Sequence, residues 1–324
     1  MQNPQFYRAE KIVEMIHGIF GFHPDYRAFH AVGQLYRGTF QATPEAKQFT
    51  RAMHLQGEAL PVTVRFSLGG GNPEAPPKAT VGMATKFYLA DGRVSDLVML
   101  NAVSFVVRTP DELIEVMDAL EPDPATGKPD PAKLPAFLAT HPASAAAFGL
   151  RKSMLAAVSF SKTGFHGIHA FRFINAAGVA CHAKYHWVPD DGEAGESVED
   201  LQQHPNDYLF KEMAERVARG PVKYALVLEF AEPGDPLNDP TQVWPADRKR
   251  VVIGHLELVS PTSLLEIGDP VLLHDPTRVT DGIELTDDPI VQARRGTYEV
   301  SVAHRTGGWH SCPFAHLAGD PGAK

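Results

Sequence analysis

About eight strand-like runs precede residue 260, and no helix alternates with them in a βαβ rhythm. The clearest runs are 61–67 (PVTVRFS), 84–89 (ATKFYL), 96–108 (DLVML…SFVVR), 168–174, 181–187, 224–230 and 251–259. They are rich in β-branched and aromatic residues and are bounded by Gly, Pro and Asp. Asn175–Gly178 separates two of them as a hairpin turn would. Such a succession predicts an α+β protein built on an eight-stranded antiparallel β-barrel with inserted and C-terminal helices. The expected organisation is a single domain over 1–324, with a barrel core of about 25–260. Helices are expected at 43–56, at 111–120, where Leu113, Val116, Met117 and Leu120 share a face, and at 207–220. An N-terminal helix is expected from Ile12, Ile16 and Phe20, and the proline-rich stretch 121–135 reads as a surface connection.

Composition removes several functions. The chain has 30 Lys+Arg against 39 Asp+Glu, a formal charge of −9, and no basic run. Nucleic acid and anionic membranes are therefore poor partners. No apolar run is long enough to span a bilayer, and the N-terminus lacks a signal-peptide pattern. Cys181 and Cys312 are too few and too far apart for a disulfide framework or a zinc site. A cytoplasmic setting is expected; a periplasmic one would require a signal peptide already removed. The glycine run at 69–72 lacks the Lys-Ser/Thr of a phosphate loop and reads as a loop. His182, His186, His310 and His316 read as structural rather than as metal ligands.

The segment DDPIVQARRGTYEVSVAHR carries the first chemical signal. Asp288 suits an N-cap and Pro289 a first helical position, so a helix of about 287–305 is expected. On it Arg294 and Tyr298 stand four apart, and Arg305 falls near Tyr298 on the other side. A tyrosine hydroxyl ionises near pH 10 in water, so nearby guanidiniums favour its phenolate. A phenolate is one of the few protein groups that ligates haem iron axially. The bland alternative is a buried ring with a wet hydroxyl beside solvated arginines. A second signal is His30 in YRAFHAVGQLYRGTF, where an imidazole stands in a run poor in charge. A third is PVTVRFS, whose strand alternation turns Arg65 and Ser67 to one face. If that face lines the inside of a barrel, the arginine needs an anionic partner.

Together these segments resemble the catalases, most closely the short catalase-related peroxidases. Arg27-Ala-Phe-His30-Ala-Val-Gly33, then Gly38-Thr-Phe40, is similar to the family's distal-histidine segment. Val64-Arg-Phe-Ser67, Asp96-Leu97-Val98, Asp239-Pro-Thr241 and Trp244-Pro245 follow in the family's order. Gly282-Ile-Glu284 through Asp288, Gln292, Arg294 and Tyr298 resembles its proximal segment. The resemblance runs from about residue 18 to 306. It implies a catalase-like barrel, haem as cofactor, and iron held by Tyr298 as metal ligand. It also implies that Arg294 stabilises the phenolate, that His30 is the distal acid/base and that Ser67 orients its ring. Arg27, Arg65 and Arg305 match positions that meet the haem propionates or support the proximal side, and Phe105 matches the ring packed over the distal face. A homodimer is compatible with the family.

The chain departs from full-size catalases in four places. Leu100 falls where they carry an asparagine that positions a second peroxide, and Asn101, one place late, is carried as a candidate site residue. Phe29 replaces a common valine before the distal histidine, and the family's D-x-R-G reads Ala79-Thr-Val-Gly82. Only 26 residues follow Tyr298 (324 − 298), too few for a C-terminal helical domain. These departures weaken disproportionation of peroxide and leave the haem machinery in place. The expected function is a haem peroxidase that reduces hydrogen peroxide while oxidising small organic donors, with residual catalase activity. A small true catalase, a haem enzyme acting on organic hydroperoxides and a non-enzymatic haem binder are the competing readings. Phe29, where hydroperoxide-acting relatives carry threonine, argues against the second, and the retained His30 and Ser67 argue against the third.

Overall fold

The computed structural model describes residues 4–306. His310, Cys312 and His316 lie outside the described residues. The strands are β1 (Gly33–Ala42), β2 (Ala59–Leu68), β3 (Val81–Tyr88), β4 (Val94–Leu100), β5 (Ala156–Ala157), β6 (Phe165–His166), β7 (Phe171–Ile174), β8 (Ala180–Pro189), β9 (Gly195–Glu196), β10 (Val222–Phe230), β11 (Arg250–Thr262) and β12 (Ile283–Leu285). The helices are α1 (Pro4–Phe20), α2 (Pro110–Leu120), α3 (Lys133–Thr140), α4 (Pro142–Lys152), α5 (Val198–Leu201), α6 (Tyr208–Arg219), α7 (Leu264–Ile267) and α8 (Pro289–Arg305).

Eight of these strands close a barrel. The order β10-β11-β1-β2-β3-β4-β6-β8 returns on itself because β8 also pairs with β10, and every pairing is antiparallel. Closure leaves no free edge along the ring. β7 and β12 extend the sheet outward from β8. Large rings fill the interior. Tyr36, Phe40, Phe66, Phe87, Trp187 and Tyr224 are all fully buried. Phe40 meets Phe87 and Trp187 edge-on, and Phe66 stacks on Phe160 at 4.7 Å. Each such pair adds about 1 kcal/mol beyond area burial.

The hairpin at 175–178 forms as expected. The Asn175 side chain accepts from Ala177 and Val179 N–H, and Gly178 takes φ +79°. The expected helices at 111–120 and 207–220 appear as α2 and α6, and the N-terminal one as α1.

One long strand goes beyond the expected runs, and two expectations change. β1 reads poorly as a strand because Gly33 and Gly38 interrupt it. Gly38 marks a bulge in the β1–β11 register, where a Cβ would lie 2.2 Å from the Glu257 carbonyl oxygen. Residues 43–56 form two short 3-10 turns, Pro44–Gln48 and Met53–Leu55, rather than a helix. Their polar groups are drawn into tertiary bonds: Thr50 donates to the Gly282 carbonyl at 2.7 Å, and Arg51 N–H to that of Ile174. The run 96–108 stops being a strand at Leu100, because Phe105 N–H leaves the ladder to bond the Pro240 carbonyl.

Candidate active site

Directly opposed residues on neighbouring strands share a face. Arg65, Ala84 and Val98 are opposed across β2, β3 and β4, as are Ser67, Gly82 and Leu100. These six form one wall of a pocket. Val62, Val64 and Phe66 take the other face, inside the barrel core. The pocket therefore lies on the outer surface of the barrel wall. The expectation that Arg65 and Ser67 line the barrel's inside is corrected: the interior has no room beside its aromatic rings. Alpha-helix α8 covers the pocket, aided by segments 27–30 and 273–274.

His30 approaches from the chain just before β1. It holds φ +54°, a left-handed conformation that costs a non-glycine residue energy and so reflects constraint by its surroundings. Its ring lies against Gly82, where a Cβ would sit 3.1 Å from Nδ1. His30 Nδ1 is 3.0 Å from Ser67 Oγ, and that hydroxyl donates to the Gly82 carbonyl at 3.4 Å. The hydroxyl's proton is thus engaged, so Nδ1–H donates and Nε2 keeps its lone pair. Part of the ring opens onto the pocket, yet protein surrounds it. Burial first, then Arg65, Arg151, Arg294 and Arg27, push its pKa down to about 3. At neutral pH it is a free base.

From the opposite side, α8 presents Arg294, Tyr298, Ser301, Val302 and Arg305 on one stripe. Asp288 caps the helix by accepting Ile290 N–H at 2.8 Å. Its other oxygen accepts from His169 Nδ1 at 2.6 Å. His169 Nε2 then accepts from Arg294 Nη1 at 3.1 Å, and Arg294 Nη2 donates to Tyr298 Oη at 2.7 Å. This chain of four residues fixes the guanidinium on the phenol. Burial outweighs the Asp288 hydrogen bond and lowers the His169 pKa, which keeps Nε2 available as an acceptor. From the sequence Asp288 reads as a cap within the resembling proximal segment, and His169 is not singled out. The two are 119 residues apart and nothing local links them.

Arg27, Arg65 and Arg305 gather at one end of the pocket. They donate only to carbonyls: Arg27 to Leu272, Arg65 to His30 and Ala31, Arg305 to Val271. Burial, then Arg305, lowers the Arg27 pKa to about 10; burial, then Arg27 and Arg305, lowers that of Arg65. None of the three makes an ion pair among the described residues. His274 lines the same pocket with both ring nitrogens buried and without hydrogen-bond partners among the described residues. Enclosed cations with no ion-pair partner among the described residues, beside an imidazole without a hydrogen-bond partner there, fit a dianionic ligand. The two propionates of haem match that demand, and Tyr298 and His30 flank the space between.

Two further candidates separate. Phe105 lines the pocket; Asn101 does not. The Asn101 side chain accepts from Val81 N–H at 2.9 Å and donates to the Ala79 carbonyl at 2.8 Å. Its one-place slip along the chain turns it to the opposite face from Leu100. Asn101 is therefore withdrawn as a pocket residue, and Leu100 takes the position.

The segment carrying Val271, Leu272 and His274 is tied to the barrel by a buried pair. Lys86 Nζ lies 2.8 Å from Asp96 Oδ1 and donates to the Leu273 carbonyl, while Asp96 Oδ2 accepts Asp275 N–H. Burial lowers the Lys86 pKa and raises that of Asp96 despite their pairing, so desolvation is not fully offset. Lys86→Met, which leaves Asp96 buried without its closest partner, is expected to cost about 3–5 kcal/mol in urea unfolding. A loss under about 1 kcal/mol would refute this view of the pair.

The catalase family profile matches residues 24–313. The chain is 36% identical over 301 residues to "Catalase-related peroxidase" of Synechococcus elongatus, covering 92% of this chain and 89% of the relative. It is 38% identical to "Catalase-related peroxidase" of Mycolicibacterium paratuberculosis, covering 92% and 95%. A solved structure titled "Structure of a bacterial catalase" matches with TM-score 0.76 at 22% identity, covering 90% of this chain and 59% of that one. The profile match takes in both the His30 segment and α8, and the chain belongs to the catalase family.

Proposed function

We propose that the chain is a haem-dependent peroxidase with catalase-type activity, acting on hydrogen peroxide with small organic molecules as reductants. The observation that carries this is the arginine cluster, without an ion pair among the described residues, beside a pocket flanked by His30–Ser67 and Arg294–Tyr298. When bound, haem would supply a redox-active iron for reaction with peroxide. Tyr298 Oη would hold the iron, and Arg294, braced by His169 and Asp288, would offer that oxygen positive charge. Arg27, Arg65 and Arg305 would hold the propionates. His30 Nε2 accepts the proton of one peroxide oxygen and delivers it to the other, so that water leaves; Ser67 keeps the ring in the required tautomer. Gly82, Ala84, Val98, Leu100 and Phe105 make the distal surroundings largely apolar.

Leu100 decides between the two outcomes of peroxide reduction. It offers no amide to orient a second peroxide, which favours an organic donor as reductant. The test is the absorption spectrum of the haem-loaded protein, followed by hydrogen peroxide with and without guaiacol. Donor oxidation with little oxygen release is expected. Vigorous oxygen release without donor oxidation would favour a small true catalase, and no haem absorption after reconstitution would refute the proposal.

A further inference from the structure

A second cavity of about 290 Å³ lies across β4 from the pocket just described. Asn101, Lys162, Thr163, His166 and Glu193 line it with Leu155. Leu100, in the haem pocket wall, is the cross-strand partner of His166. A wall residue of each cavity thus sits on one of two adjacent strands, whose spacing is about 5 Å.

His166 is wired into the barrel. Its Nδ1 lies 2.9 Å from Nδ1 of His186, whose Nε2 is 3.3 Å from Glu229 Oε2. Arg250 donates twice to the other Glu229 oxygen, at 3.1 and 2.8 Å. Burial alone would raise the Glu229 carboxyl, but the hydrogen bonds from His186 and Arg250 overcome it and hold its pKa at about 2. The carboxylate therefore accepts His186 Nε2–H. With His186 Nδ1 as the acceptor within the ring pair, His166 donates Nδ1–H to it. His166 Nε2 is left as a bare acceptor that hydrogen-bonds to no described residue, on a ring that lines the cavity. A proton arriving at Nε2 can pass through the ring pair toward Glu229.

A peroxidase needs such a group. A phenol that gives up an electron becomes a strong acid and must lose its hydroxyl proton, so a base beside the donor lowers the barrier. We propose that this second cavity binds a small phenolic reductant, with its hydroxyl on His166 Nε2. The proposal rests on the peroxidase reading. Each phenol would give one electron to the oxidising centre of the haem pocket and its proton to His166, and leave as a phenoxyl radical. Two phenols and one hydrogen peroxide give two phenoxyl radicals and two waters. Burial, His186 and Arg250 together press the His166 pKa down to about 3 against the pull of Glu229. The ring therefore stays neutral at physiological pH, and an oxidised phenol is acid enough to protonate it.

The test compares a donor that carries a proton with one that does not. In the haem-loaded enzyme, His166→Asn should lower kcat/KM for guaiacol by at least about tenfold and leave ferrocyanide oxidation unchanged. Leu155→Trp, at a position 59% exposed on the cavity lining, leaves the base in place; it should weaken guaiacol binding titrated by NMR without peroxide, and raise the guaiacol KM with little effect on kcat. Guaiacol kinetics unchanged in both variants would overturn the proposal. So would an equal fall for both donors, which would mark His166 as merely structural. A wild-type protein that oxidises guaiacol while both variants match it defeats the donor site alone; one that oxidises no guaiacol, or binds no haem, defeats the functional reading as well.

Discussion

Tyr298→Phe is expected to lower haem affinity by at least about two orders of magnitude, or about 2.7 kcal/mol. The substitution deletes one oxygen from a half-buried ring on α8. That oxygen is the only proposed bond to iron, and its loss also leaves Arg294 Nη2 without the acceptor it has at 2.7 Å. The helix should persist, because Asp288 still caps it and Ile290, Val291 and Val300 still anchor it. Circular dichroism should therefore match the wild type while haem titration does not. Wild-type affinity with an unchanged absorption spectrum would remove Tyr298 as the ligand.

His30→Ala is expected to do the reverse: haem stays, and reaction with peroxide slows by about 10²–10⁴-fold, or about 3–5.5 kcal/mol of barrier. The imidazole touches Ser67 and the pocket, and none of the arginine side chains relies on it; Arg65 bonds its backbone carbonyl, which alanine keeps. The wild-type pH profile adds a second check. The proton-accepting form of His30 is the neutral one, and its pKa is pushed down to about 3. The rate should hold as pH falls through the ordinary histidine range near 6.5, and decline only on approach to that lower value. Stopped-flow rates that drop with a midpoint near 6.5, or an alanine variant as fast as the wild type, would contradict the assigned role.

The candidate site was legible wherever its logic is local. The cap at Asp288 and the four-residue spacing of Arg294 and Tyr298 follow from helix geometry, and the structure places both side chains as that spacing requires. The 3.0 Å contact of His30 with Ser67 followed from resemblance rather than spacing. Elsewhere local reasoning misled. Residues 43–56 have helical composition, but Thr50 and Arg51 bind the distant Gly282 and Ile174 instead. The alternation of PVTVRFS correctly paired Arg65 with Ser67 and could not say which side of the wall they occupy.

By itself the sequence determined the periods: strands that alternate, a C-terminal helix with a guanidinium over a phenol, and a charge balance unsuited to nucleic acid. Those depend on neighbours a few residues apart, where backbone geometry sets the spacing. The tertiary structure alone decided that the pocket lies outside the barrel, that Asn101 turns away while Leu100 faces in, and that Asp288 reaches Tyr298 through His169 and Arg294. It also set the paired rings of His166 and His186 beside a second cavity. Each of these rests on ladder register or on contacts between residues far apart in the chain, and a one-residue shift of register reverses the side to which a side chain points.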